Sequence, residues 1–153
     1  MKTYLWFVLL TVLCWGAYVP AIHEGQLAIG GKNRALWAFL FVGVAYCLTA
    51  VVVPVAMLAT RQDLANFPNT KGWGIALFAG VLGALGALGV ILALMNGGTP
   101  KDVPPLVFAG APIVATLIGF LLHKPTSAPP WQFFAGIVMA AAGAAMVLRY
   151  KPA

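Results

Sequence analysis

Five long runs of apolar residues, each near the length needed to cross a bilayer, constrain this chain more than any other sequence feature. They cover about residues 3–22, 35–59, 73–95, 103–122 and 131–148, and a helix of about 20 residues spans a hydrocarbon core of about 30 Å. Because no water reaches that core, each run must satisfy its backbone N–H and C=O groups internally, as an α-helix does. We therefore predict an all-α integral membrane protein, a five-transmembrane-helix bundle.

The scarcity of charge supports the same prediction. Only 8% of the 153 residues are charged and 62% are hydrophobic, whereas soluble domains are about 25% charged. The nine Lys and Arg residues stand singly in the breaks between runs, which indicates loop charges near lipid headgroups and argues against nucleic-acid binding. The breaks are short turns, so we expect one multi-pass membrane domain over residues 1–153, in an inner or plasma membrane.

The first run resembles a signal peptide at its start but not in its length. It continues past Trp15 to Ile22, which is too long for the apolar core of a typical signal peptide. We expect it to be retained as the first helix.

Small residues at helical spacing mark faces on which two helices could pack closely. The third run carries a strip of glycines, and the fifth carries small residues four apart. Such strips serve either static packing or helices that slide or rock against each other. Prolines within or near the ends of helices, Pro20, Pro54 and Pro112, permit kinks. The predicted packing residues are Gly80, Gly83, Gly86, Gly89, Gly136, Ala140 and Pro112.

Glu24 is the acid with the strongest claim to a functional role. The chain has three acids, and Asp63 and Asp102 fall in loops, whereas Glu24 stands beside His23 at the end of an apolar run and after Pro20. An ionisable group at membrane depth is costly and is a candidate for function. Glu24 could exchange protons or pair with a cationic substrate while His23 tunes it, or both side chains could simply reach the interface.

Two aromatic residues make the first helix a candidate wall of a substrate cavity. Trp15 and Tyr18 lie three residues apart, and Thr11 lies four before Trp15. Their rings could line a cavity and bind cations by ring faces. The alternative is packing, with an internal hydrogen bond.

No residue pattern predicts an enzyme, a metal site or a cofactor. Ser127 is the single serine and sits in a proline-rich loop, without an Asp and His set around it. Cys14 and Cys47 fall inside apolar runs without clustered metal ligands, so we expect neither a disulfide nor a metal there.

Three stretches of the chain resemble one half of a transporter of the drug/metabolite transporter superfamily, of the EamA type. They are AGVLGALGALG at 79–89, PLVFAGAPIVA at 105–115 and WQFFAGIVMAAAG at 131–143, and the Trp15-Gly16 pair also fits. The family often has a Glu shortly before the last loop, but residues 121–124 here read LLHK. The resemblance implies inverted five-helix halves around a central site, of which this chain resembles one, so a lone half implies a partner.

Two functions remain open at this point. The first is a small-molecule transporter, or half-transporter, working as a dimer by alternating access. Its cavity would be lined by Trp15, Tyr18 and the glycine faces of the third and fourth helices, with Glu24 as the coupling residue. The second is a non-transporting membrane subunit whose small-residue strips dock a partner membrane protein.

The near-even distribution of loop charges leads to the hypothesis of an antiparallel homodimer, with a parallel homodimer or a related membrane half-unit as the other partners. With five spans, one side collects Lys2, Arg61, Lys71 and Lys124, and the other Lys32, Arg34, Lys101, Arg149 and Lys151. Four against five barely selects an orientation, so the chain could insert both ways, although a single topology with weak bias is the alternative. In a variant without Cys14 and Cys47, single cysteines placed in each loop should be labelled from both sides of the membrane. One orientation for every position would contradict dual insertion.

Overall fold

The computed structural model describes residues 3–61, 68–123, 125 and 127–150, and it is all-helical over these residues. A π-helical segment, Leu48–Val52, joins α2 (Arg34–Cys47) to α3 (Val53–Thr60) and makes them one span. Within the described residues, five helical segments are long and apolar enough to cross a membrane, which confirms the predicted fold class. The helices are α1 (Tyr4–Ile29), α2 (Arg34–Cys47), α3 (Val53–Thr60), α4 (Thr70–Met95), α5 (Val103–Leu122) and α6 (Trp131–Tyr150).

Helix α1 extends beyond its predicted end. The apolar run stops near Ile22, but the helix continues to Ile29, because Glu and Gln are good helix formers and their polarity does not interrupt the backbone. The helix stops where Gly30 takes a positive φ of 66°, a conformation that suits glycine. His23 and Glu24 therefore lie inside the helix rather than at its end.

The second span accommodates a proline by a local change of helix type. Pro54 has no N–H, and its ring crowds the carbonyl four residues earlier, which is Ala50. Ala50 lies within the π-helical segment Leu48–Val52, so the wider turn stands where the proline disrupts the ladder. By contrast, Pro20 and Pro112 lie inside α1 and α5.

The chain forms two compact units. Unit 1 comprises Met1–Val19 and Gly98–Ala153, and unit 2 comprises Pro20–Gly97. In unit 1, α5 packs against α6, and the rings of Phe120 and Phe133 lie 5.8 Å apart between these helices.

Unit 2 has a small core formed by one face of α4. Helix α2 packs against α4. Buried residues on α4 follow helical spacing, and α2 contributes two alanines, whose small side chains favour close approach. These buried residues are Ala87, Val90, Ile91 and Leu94 on α4, and Ala35 and Ala38 on α2.

A buried amide joins α1 to α4 in unit 2. Gln26 is 2% exposed, and its Nε2 donates to the backbone oxygen of Ile91 at 3.1 Å. In a setting without water, a polar side chain that finds a backbone acceptor ties two helices together. This contact was not predicted, because the predicted first helix ended near Ile22, before Gln26.

The predicted packing strips lie on open faces. Gly80, Gly83, Gly86 and Gly89 are exposed. Leaving aside each glycine's chain neighbours and the nearby backbone of its own helix, no described atom lies within 4 Å of a Cβ built on them or on Gly136. Ala140 and Pro112 are exposed as well. These residues are therefore available to a second membrane protein or to lipid, and their role in packing stays a prediction.

Most of the apolar surface faces outward. In the most apolar 18-residue stretch of α5, and in that of α6, none of the described residues is buried. A soluble protein would not expose this much apolar surface, whereas lipid tails cover it at no cost.

Four of the charged residues that the sequence analysis places outside the helices lie outside the described residues. They are Lys2, Asp63, Lys124 and Lys151.

Replacing Gln26 with leucine should destabilise the fold. The change removes the bond to Ile91, and interhelical bonds of this kind contribute about 0.6–2 kcal/mol. Unfolding in mixed micelles, followed by circular dichroism, measures the loss. Gln132→Leu is the matched control, because Gln132 is exposed on α6. Equal stability of the two variants would contradict the role of Gln26.

Candidate functional site

A groove in unit 1 is the site that the described residues define most clearly. Its volume is about 790 Å³, which lies within the range of about 300–1,000 Å³ typical of small-molecule sites. Seven of its lining residues recur at three- and four-residue spacing on α1, so they share one helix face. The lining residues are Tyr4, Phe7, Val8, Thr11, Val12, Trp15, Gly16 and Phe108.

Aromatic contacts shape the wall of the groove. The Trp15 ring meets the Phe108 ring of α5 edge to face, with centroids 6.3 Å apart. The Tyr18 ring also contacts Trp15, in a tilted arrangement with ring centroids 6.1 Å apart. Such arrangements are favoured by ring quadrupoles. Trp15 therefore lines the groove, and the half-buried Tyr18 supports it without lining it.

Thr11 is the polar group nearest the middle of the groove wall. Its Oγ1 donates to the backbone oxygen of Phe7 at 2.9 Å, within the same helix. A threonine hydroxyl has one proton and two lone pairs, so this bond uses its donor and leaves acceptor capacity. This bond within α1 matches the internal hydrogen bond that the sequence analysis gave as the alternative to a cavity wall, but here it lies beside a groove.

The ionisable pair singled out in the sequence lies in the other unit. His23 is half-buried and Glu24 is exposed, and both belong to the part of α1 in unit 2. Trp15 and Tyr18 belong to unit 1. The binding and coupling roles of all four residues stay predictions.

Asp102 is a buried acid with a structural partner. It is 6% exposed, and its Oδ1 accepts from the backbone nitrogen of Thr99 at 2.6 Å and from the Thr99 hydroxyl at 2.9 Å. These bonds close the turn before α5, as local side-chain bonds to the backbone commonly do. The sequence placed Asp102 in a loop but gave no sign of its burial.

Two residues of the described structure were missed by sequence reasoning. Phe108 lines the groove and Gln26 joins two helices. The proline-containing stretch around Phe108 was noted, but nothing in it identifies which residue meets Trp15. Gln26 would have been found by extending the first helix to the Gly30-Gly31 turn. Among the described residues, no group of three His, Cys, Asp or Glu could hold a metal ion.

The fold and groove define a class: a multi-pass α-helical membrane protein with an apolar, small-molecule-sized groove. The model of the EamA-like transporter family matches residues 2–149, so the chain belongs to this family of membrane transporters, and the resemblance seen in the sequence is confirmed. Comparison with curated proteins and with solved structures gives no match.

Gly16 and Gly30, both in or next to α1, should differ in their response to replacement by alanine. At Gly16 an added Cβ meets no described atom within 4 Å, so Gly16→Ala should leave stability unchanged or raise it by about 0.4–1 kcal/mol. Gly30 has φ +66°, where a Cβ is strained, so Gly30→Ala should cost about 1 kcal/mol or more. Thermal unfolding in detergent measures both. Equal destabilisation would contradict an open space at Gly16.

Proposed function

We propose that this chain is a small-molecule transporter, or half-transporter, whose substrate site includes the groove on α1. The observation that carries the proposal is the groove itself: about 790 Å³, lined by aromatic and aliphatic side chains, in a chain of a transporter family. Pockets of this size and lining suit metabolite-sized or drug-sized molecules. An inner or plasma membrane is the proposed location.

Transport by alternating access requires the site to open to each side of the membrane in turn. A lone five-helix chain would achieve this by pairing, as inverted halves do in many transporters. Gly80, Gly83, Gly86 and Gly89 of α4 are exposed and have open space beside them, which supports pairing because small residues let two helix backbones approach closely. The proposed assembly is a homodimer, parallel or antiparallel, or a pair with a related half-unit.

Glu24 is the proposed coupling residue. It is the one acid that the structure describes within a spanning helix, and carboxyl groups at membrane depth serve proton relays in transporters. His23 precedes it on α1 and is half-buried. In this proposal Glu24 exchanges protons as the substrate site opens to one side, and His23 tunes it.

Two substitutions test the proposed roles in vesicles that contain the purified protein. After a broad metabolite set has identified a transported solute, Trp15→Ala should raise KM by about tenfold through lost ring contacts. Glu24→Gln should remove the pH dependence of uptake, because an amide does not exchange protons. Radiolabelled uptake measured across pH values gives both results.

Trp37→Ala is the matched control for the first substitution. Trp37 is exposed at the start of α2 and stacks on Phe41, so its removal should leave KM unchanged. If no solute enters the vesicles, the chain is better described as a membrane subunit that docks a partner. Uptake that is indifferent to Trp15 would contradict the groove as the substrate site.

A further inference from the structure

We propose that the groove on α1 selects neutral aromatic molecules that present one hydrogen-bond donor, which Thr11 Oγ1 accepts. This inference rests on the proposed function only in the choice of site, and it names the class of molecule that the site takes. It follows from three properties of the groove: its lack of charge, its one central acceptor and its aromatic end.

The lining excludes a strong preference for charged molecules. None of the eight residues that line the groove carries a formal charge at neutral pH. A cation would gain the faces of Trp15 and Phe108, but it would leave water without a carboxylate partner in the lining. Because burying an unpaired charge costs more than a ring face returns, the groove favours a neutral molecule.

Thr11 gives the lining its directional preference. Its hydroxyl proton is donated to the Phe7 backbone oxygen at 2.9 Å, and among the described residues no group donates a hydrogen bond to its Oγ1. The oxygen can therefore accept but not donate without breaking the internal bond. A bound molecule that offers an O–H or N–H satisfies it, whereas one that offers only an acceptor does not.

The position of Thr11 relative to the rings sets the geometry. Trp15 lies one helical turn further along the same face, at about 6 Å of axial rise, and Phe108 meets Trp15 from α5. A ring system of one or two fused rings that packs on Trp15 thus places a ring substituent near Thr11. Tyr4, the other polar residue of the lining, is about 10 Å away along the helix axis and 57% exposed.

A matched pair of probes isolates the hydrogen bond. 2-Naphthol and 2-methoxynaphthalene have the same ring system, but only the first donates. Equilibrium dialysis against the protein in lipid nanodiscs, corrected with protein-free nanodiscs, measures both dissociation constants. We expect 2-naphthol to bind about threefold to tenfold more tightly, the increment of one neutral hydrogen bond.

Substitutions at Thr11 assign that preference to its oxygen. Thr11→Val keeps the shape and should remove the preference, whereas Thr11→Ser keeps the hydroxyl and should retain it. Thr49→Val is the matched control, because Thr49 makes the same internal bond, to the Ala45 oxygen at 2.9 Å, on the second span. A retained preference in Thr49→Val, together with its loss in Thr11→Val, supports the proposal.

Other results overturn the inference without deciding the question of transport. Equal binding of the two probes, a preference that survives Thr11→Val, or tighter binding of naphthyltrimethylammonium than of 2-naphthol would each contradict it, even if uptake depends on Trp15. Conversely, Thr11-dependent binding of 2-naphthol in a protein that moves no solute would support the selectivity and contradict the transport function alone.

Discussion

The requirement that every backbone polar group be satisfied within its own segment governs this structure. In hydrocarbon an unpaired N–H or C=O costs several kcal/mol, so each apolar run becomes a helix regardless of its neighbours. Proline and glycine act against this requirement only locally. The π-helical segment Leu48–Val52 stands just before Pro54, and α1 ends at Gly30 with a positive φ.

Helix association in such a chain has little hydrophobic driving force, because lipid covers apolar side chains as well as another helix does. Specific contacts therefore carry more of the organisation. In unit 2 these are the alanine face between α2 and α4 and the bond from Gln26 to the Ile91 oxygen. In unit 1 they are ring contacts, with Trp15 against Phe108 and Phe120 against Phe133.

The candidate site also contains few polar groups: most of the residues that line the groove are apolar. A groove without formal charge binds a small molecule through buried area, shape and one or two hydrogen bonds. In the proposed site the hydrogen-bond acceptor is the Thr11 hydroxyl, whose proton is donated to the Phe7 backbone oxygen. The ionisable side chains of α1, His23 and Glu24, lie in unit 2, whereas the groove lies in unit 1. Under the proposed function, binding and coupling would therefore fall to different residues of α1.

The sequence alone determined the membrane class, the five spans and the family, because span length, scarcity of charge and family motifs are local properties of the chain. It also indicated that Trp15 and Tyr18 lie on one side of the first helix, since they are three residues apart, and their rings are in contact in the structure. It did not place the true end of α1, the partner of Gln26, the burial of Asp102 or the meeting of Phe108 with Trp15. These contacts depend on which face of one helix packs against another. Because nearly every face of a helix in lipid is apolar, the pattern of apolar residues does not indicate which face makes the contact.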